Sequence, residues 1–315
     1  MFVLNMKPNR FLLPCFVFLA CFTIAFAQET PSQDIAEDAL DFEALLAAIK
    51  HHHALLKSGE GEVIYTDGQP PFDDDLHISK ERITFDSENT RFDSPRTTVI
   101  LTPMAYWEID PHAKRHPNYY FNPGPQAPVL IKSPMDPRHW LTLGHKDLAT
   151  YLKSENFHIT GRELINGTLC YVLEAKQGEM SEKIWIAPER GFRYLKHESQ
   201  FPRPVDALDS DIPMEALTID RTTVSYQQLG EIWFPKSVLN EYAWLDFQAT
   251  YPIISRQTLE VKDFKVNHTI PPETFTVDLP DGAMVRVNRQ TLSKEEFLKQ
   301  YGELLPRPTD SIKGQ

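Results

Sequence analysis

Cysteine is scarce in this chain of 315 residues, which contains only three. Cys15 and Cys21 lie in the apolar N-terminal stretch, so Cys170 alone remains if that stretch is removed. A single thiol cannot form an internal disulfide, and stability must therefore come from an ordinary hydrophobic core. Cys170 lies in TLCYVLEA, which is apolar on both strand faces, so we expect a buried and inert thiol.

Basic residues are outnumbered, with 32 lysines and arginines against 44 aspartates and glutamates, for a formal net charge of −12. A surface this acidic repels phosphate backbones. The sequence also contains no arginine-rich run and no interleaving of aromatic and basic residues that would reverse this locally. We therefore predict that nucleic acid is not a partner.

Familiar catalytic motifs are missing as well: there is no lipase elbow, metalloprotease helix, P-loop or dinucleotide fingerprint. His51, His52 and His53 are consecutive, and consecutive helical residues point about 100° apart, so they cannot converge on one metal ion. The sequence thus predicts no catalytic residue, no metal and no cofactor. A hydrolase whose residues are scattered along the chain stays open as an alternative.

The N-terminus has the pattern of a secretory signal. Lys7 and Arg10 precede the apolar stretch FLLPCFVFLACFTIAFA, which ends in a small-x-small site at Ala27. We predict that residues 1–27 are a signal peptide and that the mature chain is periplasmic or secreted. An uncleaved membrane anchor and lipidation of Cys21 are the alternatives.

The rest of the chain is mainly β, with a helical segment at each end. Apolar residues recur at three- and four-residue steps over residues 37–57, which predicts an amphipathic helix whose Phe42, Leu45 and Ile49 face inward. Short alternating segments then indicate an antiparallel sheet, interrupted by a proline-rich excursion near residues 111–137. Ser293 and Glu296 indicate a capping box at a short C-terminal helix.

The segment SEKIWIAPERGFRYLKHES, residues 181–199, has apolar residues on both faces of its first predicted strand. Ile184 and Ile186 point to one side of the predicted strand and Trp185 to the other, so both faces need cover. A curved sheet with one central helix cannot bury both faces of every strand. We therefore predict that strand aromatics line a concave apolar cavity. The predicted wall residues are Trp107, Trp185, Trp233, Trp244, Phe192 and Tyr194.

The order of these pieces resembles that of the LolA-type outer-membrane lipoprotein-sorting family. The resemblance rests on DFEALLAAIKHHHALLKSGEGEVIY, ITFDSENTRFDS, AYWEIDP, EKIWIAPERGFRYL and ETFTVDLPDGAMV, between residues 41 and 285. It implies a mainly β (α+β) fold, a curved antiparallel open half-barrel wrapped around the N-terminal helix with a short C-terminal helix. Residues 28–315 would form a single domain of this kind. The family's lid arginine has no counterpart, since Asp86 to Asn89 occupy that turn.

The resemblance also implies a function. Family members hold acyl chains in an apolar cavity, so we expect a non-enzymatic cell-envelope protein that binds a lipid or lipoprotein acyl chain, with a role in lipoprotein sorting or transport. A membrane-bound donor or acceptor protein is the corresponding partner. An envelope sensor or scaffold that binds a protein partner is the alternative.

Cleavage after Ala27 is directly testable. We expect N-terminal sequencing of the exported protein to begin at Gln28, because the small residues at Ala25 and Ala27 suit signal peptidase. A retained Met1 or a lipid on Cys21 would contradict this and place the protein on a membrane.

Overall fold

The computed structural model describes residues 41–69, 77–110, 112, 119–124, 133–144, 146–202, 217–245 and 253–305. The chain divides into two units, Met1–Ala39 and Leu40–Gln315, and every described residue belongs to the second. The predicted signal peptide therefore lies outside the described residues. In the described part, no helix is both long and apolar enough to cross a membrane.

Strands dominate the described residues, as the alternation predicts. The α-helices are α1 (Phe42–Ala54), α2 (Leu148–Ser154) and α3 (Lys294–Tyr301). The strands are β1 (Gly59–Gly68), β2 (His77–Phe85), β3 (Thr90–Asp93), β4 (Thr98–Thr102), β5 (Ala105–Ile109), β6 (Tyr119–Pro123), β7 (Thr142–Leu143), β8 (Lys146–Asp147), β9 (His158–Ile165), β10 (Thr168–Gln177), β11 (Met180–Ala187), β12 (Arg193–Pro202), β13 (Leu217–Leu229), β14 (Ile232–Leu245), β15 (Ile253–Val266), β16 (Met284–Val287) and β17 (Gln290–Ser293).

One sheet contains all of these strands except β7 and β8, which form a separate pair. Its order within the described residues is β17-β16-β6-β5-β4-β3-β2-β1-β15-β14-β13-β12-β11-β10-β9. The sheet is not closed into a barrel, because β17 and β9 are its two edges. Most neighbours follow each other in sequence, which is the hairpin pattern that short regular strands predict.

The prediction of an entirely antiparallel sheet is wrong at one place. β16 pairs with β6 in parallel, so the sheet is mixed. Tyr119–Pro123, inside the segment predicted to leave the sheet, is β6 itself. Parallel pairing needs a long crossover, and here it joins segments far apart in the chain, which local alternation cannot reveal.

Helix α1 starts where the sequence supplies a cap. The Asp41 carboxylate accepts a hydrogen bond from the Ala44 backbone N–H at 2.7 Å, and the helix then runs to Ala54. Leu45, Leu46 and Ile49 are buried on one side of it. The three histidines lie in the last turn, and burial lowers the pKa of His52 and His53, which favours their neutral forms.

The main core lies between α1 and the sheet face that carries it, here called the inner face. The helix residues Leu45, Leu46 and Ile49 share one hydrophobic cluster with strand residues that alternate along β1, β2, β11 and β13 to β15. These strand residues are Val63, Tyr65, Ile83, Phe85, Ile184, Ile186, Val224, Val238, Leu259 and Val261.

The β11–β12 hairpin confirms the two-sided reading of its sequence. Ile184 and Ile186 are fully buried in the main core, whereas Trp185 belongs to a different cluster on the opposite, outer face. That outer cluster consists of Cys170, Val172, Trp185, Ala187 and Leu195. Both faces of this hairpin are therefore covered by protein.

A third cluster forms where α3 meets β4 to β6 and β16. Phe297 of α3 packs its ring 5.3 Å from Trp107 and 5.0 Å from Phe121. The predicted capping box starts this helix: the Ser293 backbone N–H donates to the Glu296 carboxylate, and the Glu296 N–H donates to the Ser293 hydroxyl. Helix α3 is thereby fixed to the part of the sheet formed by β4 to β6 and β16.

Glycine at position 61 allows β15 to approach β1 closely. A Cβ there would lie 2.3 Å from Cδ2 of the Phe264 ring and 2.7 Å from the Phe264 Cα. Gly161 in β9 is different, because a Cβ there would meet open space. Both glycines lie in strands, but only Gly61 is packed closely against another residue.

We expect Gly61→Ala to lower the free energy of unfolding by about 1–3 kcal/mol, since the added methyl overpacks the core. Gly161→Ala is the matched control and should stay within about 0.5 kcal/mol of the native chain. Denaturant titrations of both variants measure this. Equal stability of the two variants would contradict the close packing of β1 on Phe264.

Candidate functional site

The structure distributes the six predicted wall aromatics over separate places. Trp107 is 1% exposed and lies in the cluster with α3, its ring 4.7 Å from that of Phe121. Trp244 lies in β14 opposite Thr218. A wall role for these two stays a prediction.

Trp185 has a complete set of partners on the outer face. Its indole N–H donates to the Glu163 carboxylate at 2.7 Å. The ammonium groups of Lys183 and Lys196 lie 5.0 and 4.4 Å from its ring centroid. The hydrogen bond from Trp185 is the main reason why the pKa of Glu163 is lowered. A cavity-facing role for Trp185 also stays a prediction.

Phe192 and Trp233 lie near the C-terminal end of α1, where Gly191 is close to both Trp233 and His52. The Phe192 ring centroid is 5.5 Å from that of His52. Tyr194 is buried in the main core, and its carbonyl accepts a hydrogen bond from the Tyr226 hydroxyl at 3.0 Å. Trp233 is half-buried, with the Arg190 guanidinium 4.4 Å from its ring centroid.

A buried arginine holds this end of α1. Arg193 is 4% exposed and donates to the His52 backbone carbonyl at 3.3 Å. Burial lowers the pKa of Arg193. Carbonyls at a helix C-terminus carry partial negative charge, so the guanidinium is electrostatically well placed there. The contact fixes where α1 stops relative to β12.

Next to the same helix end is a cavity of about 430 Å³. Its apolar walls come from three segments of the chain, and they are Leu55, Leu229, Ile232, Phe264 and Val266. Glu231, Lys265 and Asn267 add polar groups. The Asn267 side chain donates to the Leu55 carbonyl at 2.7 Å and accepts from the Lys57 N–H at 2.8 Å, which fixes the wall beyond α1.

Sequence reasoning missed this cavity because none of its residues is unusual alone. Leu229 and Ile232 flank the β13–β14 turn, and Leu55 follows α1. They meet because β14 and β1 both pair with β15. Predicting the cavity would have required the pairing of β1 and β14 with β15, which residue composition does not give.

A partly buried polar group links α2 to the inner face. The Tyr151 hydroxyl donates to the Glu182 carboxylate at 2.6 Å, and the His197 ring Nε2 lies 3.2 Å from the same oxygen. Burial raises the pKa of Glu182, but the hydrogen bonds from His197 and Tyr151 outweigh it, so the net direction is downward. Burial and the same hydrogen bond raise the pKa of Tyr151 strongly. Glu182 is two residues before Ile184, so strand alternation could have predicted its inward direction.

These groups do not form a recognisable nucleophile and base pair. No hydroxyl or thiol in the described residues donates to the His197 ring, whose partner is Glu182. Burial raises the pKa of the Cys170 thiol to about 11, which keeps it protonated and unreactive at neutral pH. Among the described residues no cluster of histidine, cysteine and acidic side chains could hold a metal ion.

The chain is similar to three solved structures at low sequence identity. A LolA superfamily protein from Nitrosomonas europaea is 15% identical, with a TM-score of 0.41 over 76% of this chain and 99% of its own. The chain resembles LolA-type proteins. A lipoprotein-sorting protein domain from Vibrio parahaemolyticus is 14% identical, with a TM-score of 0.43 over 75% of this chain and 97% of its own. A DUF1329 family protein from Desulfovibrio piger is 10% identical, with a TM-score of 0.43 over the same shares.

Sequence comparison alone gives no relative: no protein-family model matches the chain, and no curated protein does. The resemblance stated from the motifs is therefore a resemblance of fold. Cargo and partners have to be argued from this chain's own residues.

The Glu182 carboxylate should make stability depend on acid. Because its pKa is lowered on folding, its contribution is present above its unfolded pKa of about 4.3 and is lost as pH falls through the lower folded value. We expect Glu182→Gln to cost about 1.5–3 kcal/mol at pH 7, with the difference shrinking below about pH 4. Glu88→Gln, at an exposed turn position, is the control. Denaturant titrations at both pH values measure the free energies of unfolding. If the difference between the native chain and Glu182→Gln does not change with pH, Glu182 is not charged in the folded state.

Proposed function

We propose that this protein is a non-enzymatic cell-envelope protein that binds an acyl chain of a lipid or lipoprotein. In this proposal residues 28–315 form one binding domain, exported after removal of residues 1–27. The sheet curves around α1 as an open half-barrel, and the acyl chain enters at the C-terminal end of that helix. A membrane-bound donor or acceptor protein hands the chain over.

The observation that supports the proposal most is the cavity beside α1. Its volume of about 430 Å³ falls within the usual range for small-molecule sites. Its apolar walls suit an alkyl chain, since burying one methylene contributes about 0.8 kcal/mol. A ligand held in this way needs no catalytic group.

The cavity lies where a longer chain could continue along the helix. Leu55 forms its wall on the helix side, and Leu56 and Phe42 are only partly buried against the main core. The predicted wall residues Phe192 and Trp233 are half-buried near the same helix end. We propose that they extend the apolar surface offered to the cargo.

One observation favours the alternative of a protein-binding role. The edge strand β9 exposes 69% of Leu164, which pairs with Leu169 on β10, 37% exposed. Open strand edges with apolar residues can accept a partner strand. Mass spectrometry of lipid that co-purifies with the exported protein separates the two roles.

The acyl-chain proposal predicts a specific loss. We expect the native protein to bind a fluorescent fatty acid saturably, and Leu229→Gln to weaken that binding about tenfold, because an apolar wall becomes polar. Leu164→Gln makes the same change on the edge strand and should leave affinity unchanged. Absence of saturable binding, or equal loss in both variants, would falsify the proposal.

A further inference from the structure

The inner face of the sheet changes character along its strands. Near α1 it carries Val63, Leu259 and Val238, all buried. Toward the other end of the same strands, alternation and register place polar side chains at the inward positions. They include Glu182, His197, Asp220, Asn240, Tyr242, Gln257, Asp67 and Glu81, here called the polar half.

Charge is balanced on the outer face and unbalanced on the polar half. Outward acids form ion pairs with basic residues of neighbouring strands, as Glu198 does with Arg221 at 3.0 Å and Glu241 with Arg256 at 2.8 Å. The inward positions just named carry four carboxylates but, within the described residues, neither lysine nor arginine. Histidine is the only basic residue type at the described inward positions of this half, as His197 on β12 and as His77 on β2, which pairs with Asp67.

Asp220 is, with Glu81, one of the acids of the polar half whose pKa is raised. Burial raises its pKa, while the His197 charge and a hydrogen bond from Asn240 act in the opposite direction and the Glu182 charge adds to burial. The structure thus places Asp220 of β13 close to Glu182, His197 and Asn240, and the four residues lie on four neighbouring strands, β11 to β14. Asp220 pairs with Tyr242 across the β13–β14 ladder. Asn240 is therefore its diagonal neighbour, and the Cβ atoms of such neighbours are typically about 7 Å apart.

Three oxygen atoms at this place have no hydrogen-bond partner and no solvent contact. They are Asp220 Oδ1, Asn240 Oδ1 and Thr218 Oγ1. Thr218 is fully buried and lies two residues before Asp220 on the same face of β13. A buried acceptor without a donor costs about 1–3 kcal/mol, so such groups call for an explanation.

We propose that the polar half binds a protonated amine, with the ammonium group donating to Asp220 and Asn240. An ammonium group supplies both things that are missing, hydrogen-bond donors and positive charge. A hydroxyl ligand would leave the carboxylates uncompensated. A ligand with a second donor a few carbon atoms away would also reach Thr218. The proposal does not depend on acyl-chain binding at the other end of the face.

A titration with 1,3-diaminopropane tests the ligand class. We expect a saturable shift of the His197 imidazole resonances in NMR spectra of the full chain, assigned by their loss in His197→Gln. Propane-1,3-diol lacks the charge and tetramethylammonium lacks the donors, so both should bind at least about tenfold more weakly. Calcium chloride is the comparison for a metal ion. An unsaturable diamine shift, or equal shifts from any of the three other solutes, overturns the proposal.

Two variants test the residues. Asp220→Asn and Asn240→Ala should each weaken diamine binding by about tenfold or more, since the first removes the negative charge and replaces one acceptor oxygen with an NH₂ group, and the second removes the amide acceptor. Glu241→Gln, next to Asn240 but facing outward, should bind as the native chain does. Fatty-acid binding is measured on the same samples and should not change. Native diamine affinity in both variants, or equal weakening by Glu241→Gln, shows that the polar half is structural only.

Discussion

The pairing of β1 with β15 is the contact on which the rest of the structure depends. It joins two series of antiparallel strands, β2 to β6 on one side and β9 to β14 on the other, across about two hundred residues of chain. Gly61 makes room at this seam for Phe264, and Asn267 ties the end of β15 to the chain after α1. Because side chains alternate along strands, fixing this one register decides which residues on both sides face α1.

Local periodicity was sufficient for what lies within one element or one hairpin. It predicted the buried stripe of α1, the capping box of α3 and the opposite directions of Ile186 and Trp185. It could not predict the parallel pair of β6 and β16, or the cavity that Leu55, Leu229 and Phe264 enclose. Those depend on which distant strands become neighbours, and alternation carries no information about that.

The aromatic residues also show what strand alternation can and cannot predict. Alternation gives the face on which a tryptophan lies, but not the part of the sheet that covers it. Trp107 meets α3, Trp185 meets lysine and glutamate side chains of its own face, and Tyr194 meets the main core. Large aromatics bury much area wherever they lie, so their abundance indicates cores in general and does not identify a shared cavity.

The two ends of the inner face differ in polarity: the end near α1 is apolar and the other end carries carboxylates. Helix α2 is linked to the polar end through Tyr151. At the α1 end, apolar contacts dominate and Arg193 is balanced by a helix terminus. At the polar end, Glu182 is balanced by Tyr151 of α2 and by His197, which also influences Asp220. A cation bound to Asp220 would lie close to His197. The His197 ring also contacts the Glu182 carboxylate, which accepts the hydrogen bond of Tyr151. Because His197 interacts with both Glu182 and Asp220, a ligand bound at the polar half would alter the hydrogen bond between Glu182 and Tyr151 of α2.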